Sequence, residues 1–346
     1  MSSELENLRK EIENIDKQIV ELLAKRLKIS MKIGEIKNKI GKSVTDEKRE
    51  EVVKNYWIEN AKIFGLPESL VNSILPLIFS YSKLYQINPG QKRNVTIIGY
   101  GGMARSLVSL LSLAGHNVVV TGRDRNKASA LANEFKCVYM NLENALKWGE
   151  LIILALPPAA IEYIRSILSK PVIRDKIVMD IFSSKDKAFK ELEEMSIKHS
   201  FKFVSTHPLF GPILYPVGER IAIIPSKSSE DSFKEVVEFW KESGLVPVIT
   251  TVEEHEKAMA IVQVLSHFYI LGLSRSIESA KRKLEIDKIS DLQTTNFREI
   301  LKIINRVNEL YPVIIEIQNS NPYAYKVRKI GVKELQELDK EIGEKT

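Results

Sequence analysis

The chain has 346 residues, 44% hydrophobic and 28% charged, the composition of a globular protein with room for two or three cores. Its one cysteine, Cys137, excludes an intrachain disulfide framework and a cysteine-cluster metal site, and no metal is expected. A net charge of +6 spread along the chain, with no basic block interleaved with aromatics, argues against nucleic acid and suits small anionic ligands.

The charged start "SSELENLRKEIENIDK" is not a secretory signal, and with the lone cysteine it points to the cytoplasm. No apolar run is expected to reach the ~18 residues that span a bilayer, so no membrane partner is expected. Leu5, Leu8, Ile12, Ile15, Ile19, Leu22, Arg26, Ile29, Ile33, Ile36 and Ile40 follow one another at alternating steps of three and four. This heptad seam predicts one helix from Leu5 to Ile40, roughly 50 Å long. Val20, Leu23, Leu27 and Met31 widen its apolar face. A second helix is expected from Thr45 or Asp46 to Gly65. A third is expected from Pro67 to the "NPG" at 88–90, kinked at Pro76. A domain of this size is only ~30 Å across, so the first helix overhangs it. An intertwined homodimer is expected to cover the seam.

Arg26 is the one seam position that is not aliphatic. It is either a polar layer that fixes register or a group facing an anion inside the bundle. Lys37 lies three turns further on, Ser82 and Gln86 share a face of the third helix, and Asp46, Arg49 and Glu50 share the start of the second. The segments "LRKEIENID", "LLAKR", "GEIK", "TDEKRE" and "SYSKLYQ" within residues 5–86 resemble the all-helical class of chorismate mutases. The resemblance puts that family's active-site residue types on Arg9, Arg26, Lys37, Asp46, Arg49, Glu50, Ser82 and Gln86. It implies that Arg9 and Arg26 hold the carboxylates of chorismate, with Arg9 reaching the partner's pocket. Lys37 and Gln86 would donate to the ether oxygen, Glu50 and the Asp46 backbone would take the ring hydroxyl, and Arg49 and Ser82 would brace the set.

Next in the chain, "NVTIIGYGGMARS" reads as a buried strand, a glycine turn and a helix N-terminus. Gly99, Tyr100, Gly101, Gly102, Met103 and Ala104 form the expected pyrophosphate cradle, with Ala104 in the third glycine's place. The second strand ends in "TGRDR": Gly122 stands where an NAD site wants an acid, and Arg123 follows. That favours NADP, with NAD open because Asp124 could still meet a ribose hydroxyl.

Strands at "LIILALP", "KIVMDIF", "FVSTHP", "RIAIIP" and "VPVITT" extend an α/β sheet to about Thr251, and only helical patterns follow. The expected domains are an all-α mutase domain at 1–90, a Rossmann-type NAD(P)-binding domain at 91–251 and an all-α C-terminal domain for dimerisation and substrate at 252–346. Of five histidines, His116 reads as a turn residue on the surface and His199 as part of a charged loop. His207 follows a strand, and Ser183 and Lys185 would emerge at the same sheet edge. His255 and His267 lie on the long helix, where packing and chemistry are both open, and Arg298 sits in "TTNFREIL". The glycine turn, "DIFSSK", "HPLFGP", "EEHEKAMAIVQVLSHF" and "NFREI" make residues 94–320 look like prephenate dehydrogenase. With the helical segment in front, the order resembles the bifunctional chorismate mutase–prephenate dehydrogenases of tyrosine biosynthesis. The resemblance implies His207 as base, Ser183 orienting it, and Arg298 on a substrate carboxylate, with Lys185 and His267 as further substrate contacts. Arogenate in place of prephenate, and a non-catalytic, ligand-sensing mutase-like domain, are the alternatives.

Overall fold

The structure, a computed structural model, describes residues 2–42, 44, 46–87, 91–230, 232–286 and 288–343. Thr45 and the "NPG" stop lie outside the described residues. The chain forms two compact units, Met1–Ile181 with Met195–Ile249, and Phe182–Glu194 with Thr250–Thr346.

The first unit opens with α1 (Ser2–Lys39), α2 (Glu47–Ile63) and α3 (Glu68–Gln86). Asp46 caps α2 by accepting the Arg49 N–H at 3.0 Å, one of the orphan donors of a helix start. Helix α3 runs on through Pro76. Ala61, Val71 and Leu75 form the α2–α3 core, with Trp57 and Phe79 packed on it. Helix α1 meets α3 at Gly34, where a Cβ would stand 2.2 Å from the Gln86 carbonyl oxygen, so only glycine allows the approach. The seam divides here. Arg26 turns toward α3 in a row with Ser30, Gly34 and Lys37, whereas the ten aliphatic seam residues are 43–63% exposed. The sequence reading had Arg26 in line with them; the small residues Ser30 and Gly34 draw its side of the helix onto α3.

An eight-stranded sheet follows, in the order β3-β2-β1-β4-β5-β6-β7-β8. Its strands are β1 (Asn94–Ile98), β2 (Asn117–Thr121), β3 (Val138–Tyr139), β4 (Leu151–Leu154), β5 (Ile177–Asp180), β6 (Lys202–Pro208), β7 (Arg220–Pro225) and β8 (Val246–Ile249). Pairing is parallel except between β6 and β7. The connecting helices are α4 (Gly102–Leu113), α5 (Arg125–Glu134), α6 (Leu142–Trp148), α7 (Ile161–Leu168), α8 (Asp186–His199) and α9 (Phe233–Glu242). Strands β1, β4 and β5 are buried on both faces, as parallel strands covered by helices must be. The order reverses between β1 and β4, which puts the ligand crevice of such sheets at their carboxyl ends. The two-residue β3 carries no pattern of its own and was not expected. His199 is the last residue of α8, not part of a loop.

In the second unit, α10 (Val252–Met259) starts with a capping box between Thr251 and Glu254. A π-helical turn (Ala260–Leu265) leads into α11 (Ser266–Lys283), and α12 (Thr295–Glu309), α13 (Tyr311–Ser320) and α14 (Ala324–Ile342) complete the unit. The buried Gln318 amide donates to the Val264 carbonyl at 2.7 Å, satisfying a group on the π turn. Against expectation, Val252–Lys283 contains an 18-residue window long and apolar enough to span a membrane by length and composition. Only 17% of that window is buried within this chain. Phe182–Glu194, read with the sheet from sequence, packs with these helices. Ser184 Oγ and the Lys185 N–H both donate to the Glu256 carboxylate.

Candidate active sites

The α1–α3 contact gathers four of the eight helical residues. Arg26 Nη1 donates to Ser82 Oγ, and Ser82 Oγ donates to the Ile78 carbonyl at 2.6 Å. Gln86 Nε2 bonds the Ser82 carbonyl at 3.2 Å, while its Oε1 is buried with no donor among the described residues. Lys37 Nζ donates to the Val44 carbonyl at 2.9 Å. Burial pulls the pKa of both Arg26 and Lys37 down; for Lys37, Asp46 and Glu50 push the other way. Two half-desolvated cations of this kind gain from an anion beside them. Gly34, Lys37 and Gln86 line a cavity of about 130 Å³. That is below the ~300–1,000 Å³ of sites that enclose a small molecule, and Arg26 and Ser82 lie outside its lining. Glu50 is held by Lys83 at 3.1 Å, a partner that sequence reasoning missed. Asp46 and Arg49 meet through the helix cap. Arg9 is not brought in: it is exposed on α1, paired with Glu6 at 3.6 Å.

The glycine turn closes the carboxyl end of β1. At Gly99, φ is +138° and a Cβ would stand 2.1 Å from the Ala155 oxygen, directly after β4. At Gly101 a Cβ would meet nothing within 4 Å, leaving open space beside the α4 N-terminus, whose cap has no side-chain hydrogen bond. Those free amides fit a pyrophosphate. Tyr100 and Met103 are half-buried and Ala104 is buried against the sheet. The loop after β6 hangs over α4: Ser106 Oγ and Ser109 Oγ accept the N–H groups of Ile213 and Tyr215, each at 3.0 Å. Arg123 is exposed and lies 5.4 Å over the Tyr163 ring. Asp124 is occupied as the cap of α5, accepting the Lys127 N–H at 3.1 Å. Lys127 itself stands 5.9 Å over Tyr100, a cation that sequence reasoning passed over.

His207 lies within β6 and not after it, opposite Ala222 of β7, and is 3% exposed. Beside it, Thr206 Oγ1 donates to the Asp180 carbonyl at 2.6 Å, tying β6 to the end of β5. Ser183, Lys185, His267 and Arg298 belong to the second unit. Ser183 is half-buried and Lys185 fully buried, with its Nζ 6.0 Å from the Phe182 ring centre, so Lys185 does not project from an open edge. Glu256, unremarked in the sequence, anchors this turn and also accepts Asn321 Nδ2 at 2.8 Å. Arg298 is exposed on α12. His267 is half-buried on α11, where burial lowers its pKa. His255 is buried beside Glu256. His116 is buried, not on the surface: its Nε2 pairs with Ser243 Oγ at 3.0 Å.

Residues 8–87 match the family described as Chorismate mutase type II, and residues 94–184 match NADP oxidoreductase coenzyme F420-dependent. A protein of Methanocaldococcus jannaschii named "Probable arogenate/prephenate dehydrogenase" is 26% identical over 72% of this chain. The match spans 57% of that relative's length. A T-protein of Enterobacter agglomerans is 24% identical over 93% of this chain and 84% of its own. Among solved structures, prephenate dehydrogenase from A. aeolicus in complex with hydroxyphenyl propionate and NAD+ shares the fold. Its TM-score is 0.57 at 18% identity, over 74% of this chain and 93% of that one.

Proposed function

We propose that this chain, which joins a chorismate mutase type II domain to a nicotinamide-dinucleotide oxidoreductase domain, makes prephenate in the first and oxidises it in the second. The observation that carries the reading is the Arg26–Ser82–Gln86 hydrogen-bonded cluster, with Lys37 beside Gln86 on a shared cavity wall, immediately ahead of a glycine turn.

In the first step the ether C–O bond of chorismate breaks as a C–C bond forms, with no proton transfer. The protein's task is therefore to hold the chair-like geometry and to meet the charge that builds on the ether oxygen. Arg26 takes one carboxylate, and Arg9 of a second copy takes the other. Lys37 faces the ether oxygen. Gln86 joins it once its amide rotates away from the Ser82 carbonyl, a turn that its donorless Oε1 makes inexpensive. The exposed seam of α1 is the surface for that second copy, so a homodimer is part of the reading.

In the second step the ring carbon bearing the hydroxyl gives up a hydride, the hydroxyl proton passes to His207, and the bond to the ring carboxylate breaks. Carbon dioxide leaves, its bonding electron pair makes the ring aromatic, and the ring oxygen takes the proton back from His207, giving 4-hydroxyphenylpyruvate. When bound, the nicotinamide supplies the hydride acceptor. Gly99, Gly101, Gly102 and the α4 N-terminus would hold its pyrophosphate. NADP is favoured over NAD because Arg123 is presented on Tyr163 while Asp124 is committed to its cap. Ser183 orients the hydroxyl, Arg298 binds a carboxylate, and Lys185 and His267 support the set. The single cysteine suits a reducing, cytoplasmic compartment.

The test assays the two steps separately, on wild type and on His207→Asn. The expected result is loss of prephenate oxidation, mainly in kcat, with chorismate turnover intact. A variant that oxidises prephenate at the wild-type rate contradicts the role of His207. Arogenate run beside prephenate decides between the two substrates that the M. jannaschii relative's name carries.

A further inference from the structure

Helix α9 of the dinucleotide-binding domain ends beside the cavity that Lys37 and Gln86 line. Glu238, Lys241 and Glu242, on one helical face, form part of its wall. The contact is tight. Leu84 and Ile87, at the end of α3, pack against the core under the sheet. At Gly244, just past α9, φ is +97° and a Cβ would stand 2.7 Å from Ile87 Cδ1. The Gln91 backbone N–H, a few residues past α3, bonds Glu242 at the end of α9. The helix end that carries Ser82 and Gln86 is thus fastened to the turn after α9. Lys241 pairs with Glu238 at 3.1 Å across one helical turn. A partly exposed pair of this kind is weak, so an arriving anion can draw Lys241 from it. Burial and the nearby Glu238 push the Glu242 carboxyl up from its ordinary value.

We propose that α9 walls the Lys37 and Gln86 end of the mutase pocket and that Lys241, supplied by the dehydrogenase half of the chain, adds positive charge there that favours the dianionic substrate beyond the two arginines on its carboxylates. The proposal rests on reading the first domain as a chorismate mutase. It makes chorismate affinity a property of both halves, although Lys241 lies more than 150 residues beyond the mutase domain in sequence.

The test is steady-state kinetics of full-length Lys241→Ala and Lys241→Glu, with both activities measured on each preparation. Lys241→Ala should raise the KM for chorismate roughly 3- to 10-fold with kcat retained, and Lys241→Glu should raise it further. Added salt should narrow the gap between wild type and Lys241→Glu. KM values for prephenate and cofactor should stay at wild type. Wild-type chorismate KM in both variants overturns the proposal, as does a parallel loss of both activities, which would mark structural damage. Wild-type protein with no chorismate turnover overturns the mutase reading itself, and the proposal with it.

Discussion

The Arg93 backbone N–H donates to His116 Nδ1 at 3.3 Å, so the neutral ring keeps its proton on Nε2 and donates to Ser243 Oγ, which donates onward to the Phe239 carbonyl. Burial, with the charge of Arg93 beside it, pushes His116 down to about 4. An unfolded histidine titrates near ~6.5. The neutral-ring stabilisation is therefore complete above that pH and is lost as pH falls toward 4, by roughly 2–3 kcal/mol. Denaturant unfolding across this window should show a steeper loss for wild type than for His116→Gln; parallel curves would contradict the assignment. Nothing local marks His116 as buried: Gly115 makes its turn look superficial, and its partner stands 127 residues away. Arg123 stands out in the sequence because the missing acid at Gly122 is a local signal, whereas its placement over Tyr163 is not. Arg123→Ala should weaken NADP binding by about 2 kcal/mol and leave NAD nearly unchanged, as for other charge-assisted contacts. Equal losses in titrations with the two cofactors would remove Arg123 from the phosphate site.

At the scale of elements, α1 was readable almost to the residue because a seam of ten aliphatic positions has one period and no competitor. What periodicity cannot state is which neighbour each position meets. Arg26 left the seam because Ser30 and Gly34 admit α3, a contact set by side-chain size and not by hydropathy. The π turn and the two-residue β3 were illegible for a related reason, since both are set by pairing partners distant in sequence. Arg9 and Arg26 are about 25 Å apart along α1 at ~1.5 Å per residue and about 100° apart around it, so they cannot grip one small dianion within a chain. Arg9→Ala and Arg26→Ala should each be nearly inactive as mutases. Refolded together, they should recover roughly a quarter of wild-type sites, because a mixed two-fold dimer has one site with both lesions and one with none. Heterodimers that form and stay inactive would contradict the shared site.

At the scale of the molecule, sequence patterns separated helical, α/β and helical regions, because periodicity changes from heptads to buried strands and back. They could not assign Phe182–Glu194, whose packing partner, Glu256, lies some seventy residues on. Nor could they show that α3 is seated on the dinucleotide-binding core. Candidate site residues could be picked out where they cluster locally, in the glycine turn and the helical segments, and less readily where residues converge from distant segments. In the proposed function one chain performs two consecutive reactions on one carbon skeleton. The most direct measurement is a single incubation of purified protein with chorismate and NADP or NAD, following reduced nicotinamide over time. Reduced cofactor should appear after a lag while prephenate accumulates, with 4-hydroxyphenylpyruvate formed in equal amount and no lag when prephenate is supplied. No reduced cofactor from chorismate, by a protein that oxidises added prephenate, would contradict it.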